Sequence, residues 1–128
     1  WNSSVYSTVG YTNGCYVTFS PSGKNTVHTM IGLSKNPTST HSYSNLDAGW
    51  YIKKNGTAGV RVPGNKELLN VPYEAVDIFS IVYDNDYFHF YQNGDLIKSV
   101  STPIFGKINF WFGTLAEYVY VWVNKVPS

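Results

Sequence analysis

The run Asp86-Tyr87-Phe88-His89-Phe90-Tyr91-Gln92-Asn93-Gly94 constrains the fold more than any other stretch, because it alternates strictly and ends on Asn-Gly. In an extended strand Phe88 and Phe90 fall on one face, and Tyr87, His89 and Tyr91 on the other. Asn-Gly then supplies the positive φ angles of a tight type I′ turn. The same grammar recurs upstream, where Gly49-Trp50-Tyr51-Ile52-Lys53-Lys54 runs into Asn55-Gly56 and re-emerges through Val60 and Val62. Two such hairpins predict an antiparallel β protein.

The rest of the chain agrees with them. Strands are expected at 5–8, 15–20, 29–34, 50–54, 58–62, 78–84, 87–92, 96–101, 108–113 and 118–124. Breakers separate nearly all of them: Gly10 with Asn13-Gly14, Pro21-Ser22-Gly23, Asn36-Pro37, Pro63-Gly64-Asn65, Pro72, Pro103 and Gly106. No segment has an amphipathic helical period, and a helical turn is expected only near 71–76. Many short strands at this spacing, without repeats, predict an all-β, two-sheet antiparallel sandwich of the jelly-roll kind.

Composition narrows the function classes. The 128 residues make one domain, 1–128, long enough to bury roughly two-thirds of its unfolded surface. A formal charge of +1 gives no electrostatic reason to expect nucleic acid or an anionic membrane. The apolar runs are too short to insert into a bilayer. The chain opens on Trp1 without a basic, apolar leader and reads as a domain excised from a larger protein. Charged residues make up 13% and aromatics 17%, so rings must serve either the strands or a binding face. Cys15 is alone in sequence and reads as a small buried hydrophobe. Asn2-Ser3-Ser4 and Asn55-Gly56-Thr57 fit the glycosylation acceptor pattern, at a frequency chance explains.

No catalytic signature stands out. His28, His41 and His89 lack the close spacing of a zinc or copper site, so neither metal nor cofactor is expected. Asp84-Asn85-Asp86 lacks the central Gly and distal Glu of a calcium loop, and turn geometry alone accounts for it. Glu67, Glu74 and Glu117 do not pair with another carboxylate at the spacing glycoside hydrolysis needs on one sheet face. A serine or cysteine nucleophile has no elbow motif and no evident paired base. A non-enzymatic binding surface is what remains.

Two places suit such a surface. The polar segment 35–47 mixes His41, Tyr43, Asn45 and Asp47 with Ser and Thr, the combination that meets sugar hydroxyls and C–H faces. In the final strand Tyr118, Tyr120 and Trp122 share one face and Val119, Val121 and Val123 the other. Such a strand is either covered on both sides, or it buries the valines and shows the rings. Trp111 between Phe110 and Phe112 poses the same choice. The candidate carbohydrate-binding residues are His41, Tyr43, Trp111, Tyr120 and Trp122.

Trp1-Asn2-Ser3-Ser4-Val5-Tyr6-Ser7-Thr8, Gly10-Tyr11-Thr12-Asn13-Gly14 and Tyr16-Val17-Thr18-Phe19 resemble the start of a concanavalin-like sandwich module of bacteriophage tail-fibre and other viral surface proteins. Met30-Ile31-Gly32-Leu33-Ser34, Asn36-Pro37-Thr38 and Tyr43-Ser44-Asn45-Leu46-Asp47-Ala48-Gly49-Trp50-Tyr51 follow that module's course almost step for step. Phe90-Tyr91-Gln92-Asn93-Gly94 is similar to its hairpin, which SPRY-like and laminin-G-like sandwiches share. The match covers roughly 1–100, and the aromatic-rich end departs from it. The resemblance implies a non-enzymatic host-attachment module at the virion surface, extracellular and often trimeric in the parent protein. A host cell-surface glycan or glycoprotein is the implied partner. The alternative is a structural or oligomerisation domain of a fibre or spike with no glycan ligand. Trp1, Tyr6, Met30, Leu33 and Trp50 read as core.

Overall fold

The computed structural model describes residues 3–6, 14–21, 28–34, 47–62, 66–84, 86–101, 109–114 and 120–125. They form eleven strands: β1 (Ser3–Tyr6), β2 (Cys15–Ser20), β3 (Thr29–Ser34), β4 (Ala48–Ile52), β5 (Thr57–Val62), β6 (Lys66–Pro72), β7 (Phe79–Tyr83), β8 (Tyr87–Gln92), β9 (Asp95–Ser101), β10 (Asn109–Thr114) and β11 (Tyr120–Lys125). A six-stranded sheet runs β1-β10-β3-β4-β5-β6 and a five-stranded sheet β11-β2-β7-β8-β9. Every pairing is antiparallel. This is the antiparallel sandwich that the alternation predicts.

The core lies between the sheets because each inner strand sends alternate side chains there. Cys15, Val17 and Phe19 of β2, Phe79, Ile81 and Tyr83 of β7, and Phe88 and Phe90 of β8 are buried. Ile31, Leu33, Ala48, Trp50, Ile52, Ala58, Val60 and Val62 of β3–β5 join them in one cluster. Trp50 ties the layers together. Its ring centroid is 4.8 Å from that of Phe79 and 5.8 Å from that of Phe90, and its Nε1–H donates to the Ser80 carbonyl at 3.1 Å. Rings in such tilted and edge-on contacts add to the area they bury.

In backbone register Val121 and Val123 pair with Phe19 and Val17, and Tyr120 and Trp122 pair with Ser20 and Thr18. β11 is an edge strand. Phe110 and Phe112 likewise pair with core residues Leu33 and Ile31, and Trp111 pairs with Gly32.

The structure corrects several local expectations. Strand β6 occupies 66–72, where no strand is expected, and no helical turn follows it among the described residues; the chain turns at Ala75-Val76, with Asp77 N–H donating to the Glu74 carbonyl at 3.0 Å. The Asn93-Gly94 turn has the two positive φ angles expected, 52° and 83°. At Asn55-Gly56 only Gly56 does, at 90°. That loop is a wider turn in which Lys53 and Thr57 pair, and Asn55 Oδ1 accepts from Thr57 N at 3.0 Å and from Thr57 Oγ1 at 2.7 Å. An Asn side chain that closes its own turn does not need the left-handed backbone. Finally, β1 begins at Ser3, two residues before its expected start.

A polar face on strands β4 to β6

Alternation on β4 puts Trp50 and Ile52 inside, and therefore Tyr51 and Lys53 outside. On β5, Gly59 pairs with Tyr51 and Arg61 with Gly49, so both stand on that outer side. β6 completes the face through an irregularity. Glu67 pairs with Arg61 and Asn70 with Gly59, so Leu68 and Leu69 together oppose the single residue Val60. In a regular strand residues three apart face opposite ways; this bulge turns Glu67 and Asn70 to the same side.

The side chains meet there. Lys53 Nζ donates to Glu67 Oε2 and to Asn70 Oδ1, both at 2.9 Å, and Asn70 Nδ2 donates to Glu67 Oε2 at 3.0 Å. Lys53 Nζ lies 5.4 Å and the Arg61 guanidinium 5.3 Å from the Tyr51 ring centroid, within cation–π reach. His28 meets the same ring edge-on, with centroids 5.5 Å apart. Gly59 forms the floor: a Cβ there would overlap Glu67 Oε1 and come within 3.0 Å of Asn70 Oδ1. Lys53 and Glu67 keep 19% and 26% of their side-chain surface in solvent, so the ion pair is within reach of a ligand.

The electrostatics follow from these contacts. Burial pushes the Glu67 carboxyl up, but the hydrogen bonds from Lys53 and Asn70 and the charges of Lys53 and Arg61 outweigh it and hold the group below its ordinary value. The His28 imidazole is held below its ordinary value by burial first, then by the ammonium groups of Lys54 and Lys53. The face is thus a positive field around one ring, with one carboxylate inside it.

The residues singled out from sequence are distributed differently. His41 and Tyr43 lie outside the described residues. Trp111 sits in β10 of the six-stranded sheet, on the transverse register row Tyr6–Trp111–Gly32–Gly49–Arg61–Glu67. Tyr120 and Trp122 sit in β11 of the other sheet. Trp111 and the Tyr120–Trp122 pair therefore belong to different layers. Sequence reasoning missed Tyr51, Lys53, Arg61, Glu67 and Asn70 as a group. The alternation of β4 marks Tyr51 and Lys53 as outward, but the strand that carries their partners is not legible.

A second network orders the β7–β8 turn. Asp84 Oδ1 accepts from Asp86 N at 3.1 Å and Tyr87 N at 2.8 Å, which is the turn role its sequence suggests. Its Oδ2 lies 2.8 Å from His89 Nε2, and His89 Nδ1 lies 2.7 Å from Ser99 Oγ. Ser99 thus has a paired base, contrary to the expectation from sequence. It comes from cross-strand register, since His89 and Ser99 face each other on β8 and β9. Ser99 lies in a strand rather than at a strand-to-helix elbow, the setting that exposes a hydrolase nucleophile. Stacking of Tyr87 on His89, with centroids 5.6 Å apart, holds the imidazole in place.

No protein-family model matches the chain, and no curated protein matches its sequence at a significant level. Solved structures do match its fold. Sheep galectin-11, determined in complex with glycerol, is 7% identical, with 95% of this chain and 99% of that chain covered and a TM-score of 0.54. The exoplasmic/lumenal domain of VIP36 is 7% identical, with coverage of 98% and 75% and a TM-score of 0.63. The Crh5 transglycosylase, in complex with NAG, is 10% identical, with a TM-score of 0.61; 87% of this chain aligns, spanning about half of that enzyme at 52%. Lectins and carbohydrate-active enzymes share this sandwich, and identities this low carry the fold alone. The chain has the concanavalin-like, two-sheet fold of the lectin sandwiches.

Proposed function

We propose that this chain is a carbohydrate-binding module, and that it serves as a non-enzymatic host-attachment domain at the surface of a virion. One observation carries the first part: a ring, two cations, a carboxylate and an amide converge on a single half-exposed sheet face. Sugar hydroxyls are met by such mixed donors and acceptors held by a rigid scaffold. Galectin-11 and VIP36 share the fold, which adds lectin-like precedent for the architecture. The viral setting and the non-enzymatic role rest on the resemblance of 1–100 to fibre and spike modules. Attachment needs only recognition and a stable scaffold.

The test is a glycan array probed with the isolated domain and with Asn70→Ala. Asn70 is exposed, and its amide joins the ion pair without touching the core. Clear hits that weaken about tenfold in the variant, at an unchanged melting midpoint, support the binding face, since one polar contact in a binding site is worth on the order of 1–2 kcal/mol. A silent array with a stable oligomer would instead support the structural reading.

A further inference from the structure

Charge is divided between the segments that build β4–β6 and β7–β9. Residues 47–72, which build β4–β6 of the six-stranded sheet, hold Lys53, Lys54, Arg61 and Lys66 against Asp47 and Glu67, a net of two positive charges. Residues 73–101, which build β7–β9 of the other sheet, hold Lys98 against Glu74, Asp77, Asp84, Asp86 and Asp95, a net of four negative charges. The segment that builds β4–β6 is therefore net basic and the segment that builds β7–β9 with its turns net acidic, in a near-neutral chain. Fields of this kind select the charge of what approaches.

The chemistry of the β4–β6 face points the same way. A neutral sugar needs a ring face to stack on, but Lys53 and Arg61 both sit over Tyr51, within about 5.4 Å of its centroid. Tyr51 thus acts as a spacer that fixes two cations. Lys53 Nζ directs two of its three hydrogens to Glu67 and Asn70, which leaves one for a ligand oxygen. Arg61 and Asp47 have contacts of their own, and what Arg61 contributes is its fixed charge rather than a vacant donor.

We propose that the ligand of this face is an acidic saccharide, a glycan bearing carboxylate or sulfate groups, gripped between Lys53 and Arg61 with the Asn70 amide beside them. The inference rests on the carbohydrate-binding reading and names the class of sugar within it. Glu67 then has a definite role. It orients Lys53, and it subtracts attraction for the anion, so its effect on affinity has opposite signs for acidic and neutral ligands.

The experiment is a glycan array of matched acidic and neutral chains, followed by titration of the tightest acidic hit with wild type, Lys53→Gln and Glu67→Gln at low and high salt. Binding of the acidic members only, weakened by salt and about tenfold by Lys53→Gln, is expected for the loss of one charge-assisted hydrogen bond. Glu67→Gln should tighten that binding about threefold, because a like charge is removed from a half-exposed site. Melting curves check that both variants fold, and the rise with Glu67→Gln cannot come from unfolding. Hits confined to neutral glycans, or weaker acidic binding with Glu67→Gln, would overturn the proposal and leave the lectin reading standing. A silent array would overturn that reading as well. An oligodeoxynucleotide of equal charge that binds as tightly as the glycan would reduce the face to unselective charge and overturn the proposal.

Discussion

Gly94 and Gly59 exclude a side chain for different physical reasons, and substitutions separate them. Gly94 has φ +83° with nothing within 4 Å of a built Cβ, so Gly94→Val meets backbone strain and no crowding. A β-branched residue in that region should cost roughly 1 kcal/mol or more, read as a lower midpoint in urea unfolding. An unchanged midpoint would mean the turn relaxes to another form. Gly59 sits outside the left-handed region, and its absent Cβ makes room for the Glu67 carboxylate. Gly59→Ala should therefore disturb the Lys53–Glu67–Asn70 network and glycan binding while lowering stability by only about 1 kcal/mol, the range of an exposed ion pair with its hydrogen bonds. Cys15 gives a third outcome at this scale. Burial pushes its thiol up to about 12, so it should resist Ellman's reagent in the native protein and react fully on unfolding. Rapid native labelling would show that β2 opens.

At the scale of elements, legibility follows from how many constraints act on a strand. β2, β7 and β8 each have a covered inner face and neighbours on both sides, so their alternation is clean and their bounds are readable within a residue. β6 is an edge strand with mostly exposed side chains and a bulge that breaks the period of two, and Lys66-Glu67-Leu68-Leu69-Asn70-Val71-Pro72 shows no alternation to read. The polar face on β4–β6 was hidden for the same reason. Tyr51 and Lys53 are outward by parity with Trp50, but Glu67 and Asn70 reach them only because the bulge is there. Trp50 itself was legible as core, though not as the tie to Ser80 of the opposite sheet. Trp50→Phe keeps a ring in the core and removes the indole N–H, leaving a small void and a lost hydrogen bond. It should cost about 2 kcal/mol, with Trp50→Ala on the order of 4 kcal/mol, by chemical denaturation. Equal costs would mean that the hydrogen bond, rather than packing, dominates.

For the whole molecule, the groups whose protonation is shifted by burial and local contacts set how it answers to acid. The signed residues are plain in the sequence, but only the topology assigns 47–72 to one sheet and 73–101 to the other. Among the described residues three groups have folded values below their ordinary ones. His28 is lowered by burial and by Lys54 and Lys53, and Glu67 by hydrogen bonds and cations that outweigh burial. Asp84 is lowered because bonds from His89 and from the Tyr87 and Asp86 amides outweigh burial too. A lowered folded value means the unfolded chain binds the proton first, so each group contributes stability above its ordinary value and loses it as pH falls through the folded one. The losses should come in two stages. The first begins below about 6.5, where the unfolded histidine protonates, and the second below about 4, where the carboxylates do. His28 Nδ1 is buried without a hydrogen-bond partner, so a proton placed there would gain no acceptor in return. His28→Gln should therefore flatten the melting temperature between about pH 6.5 and 5 and leave the lower stage intact. A His28→Gln variant whose melting temperature falls below that of the wild type on acidification through that window would mean the His28 imidazolium finds an acid partner, and the basic field assigned to the β4–β6 face would have to be redrawn.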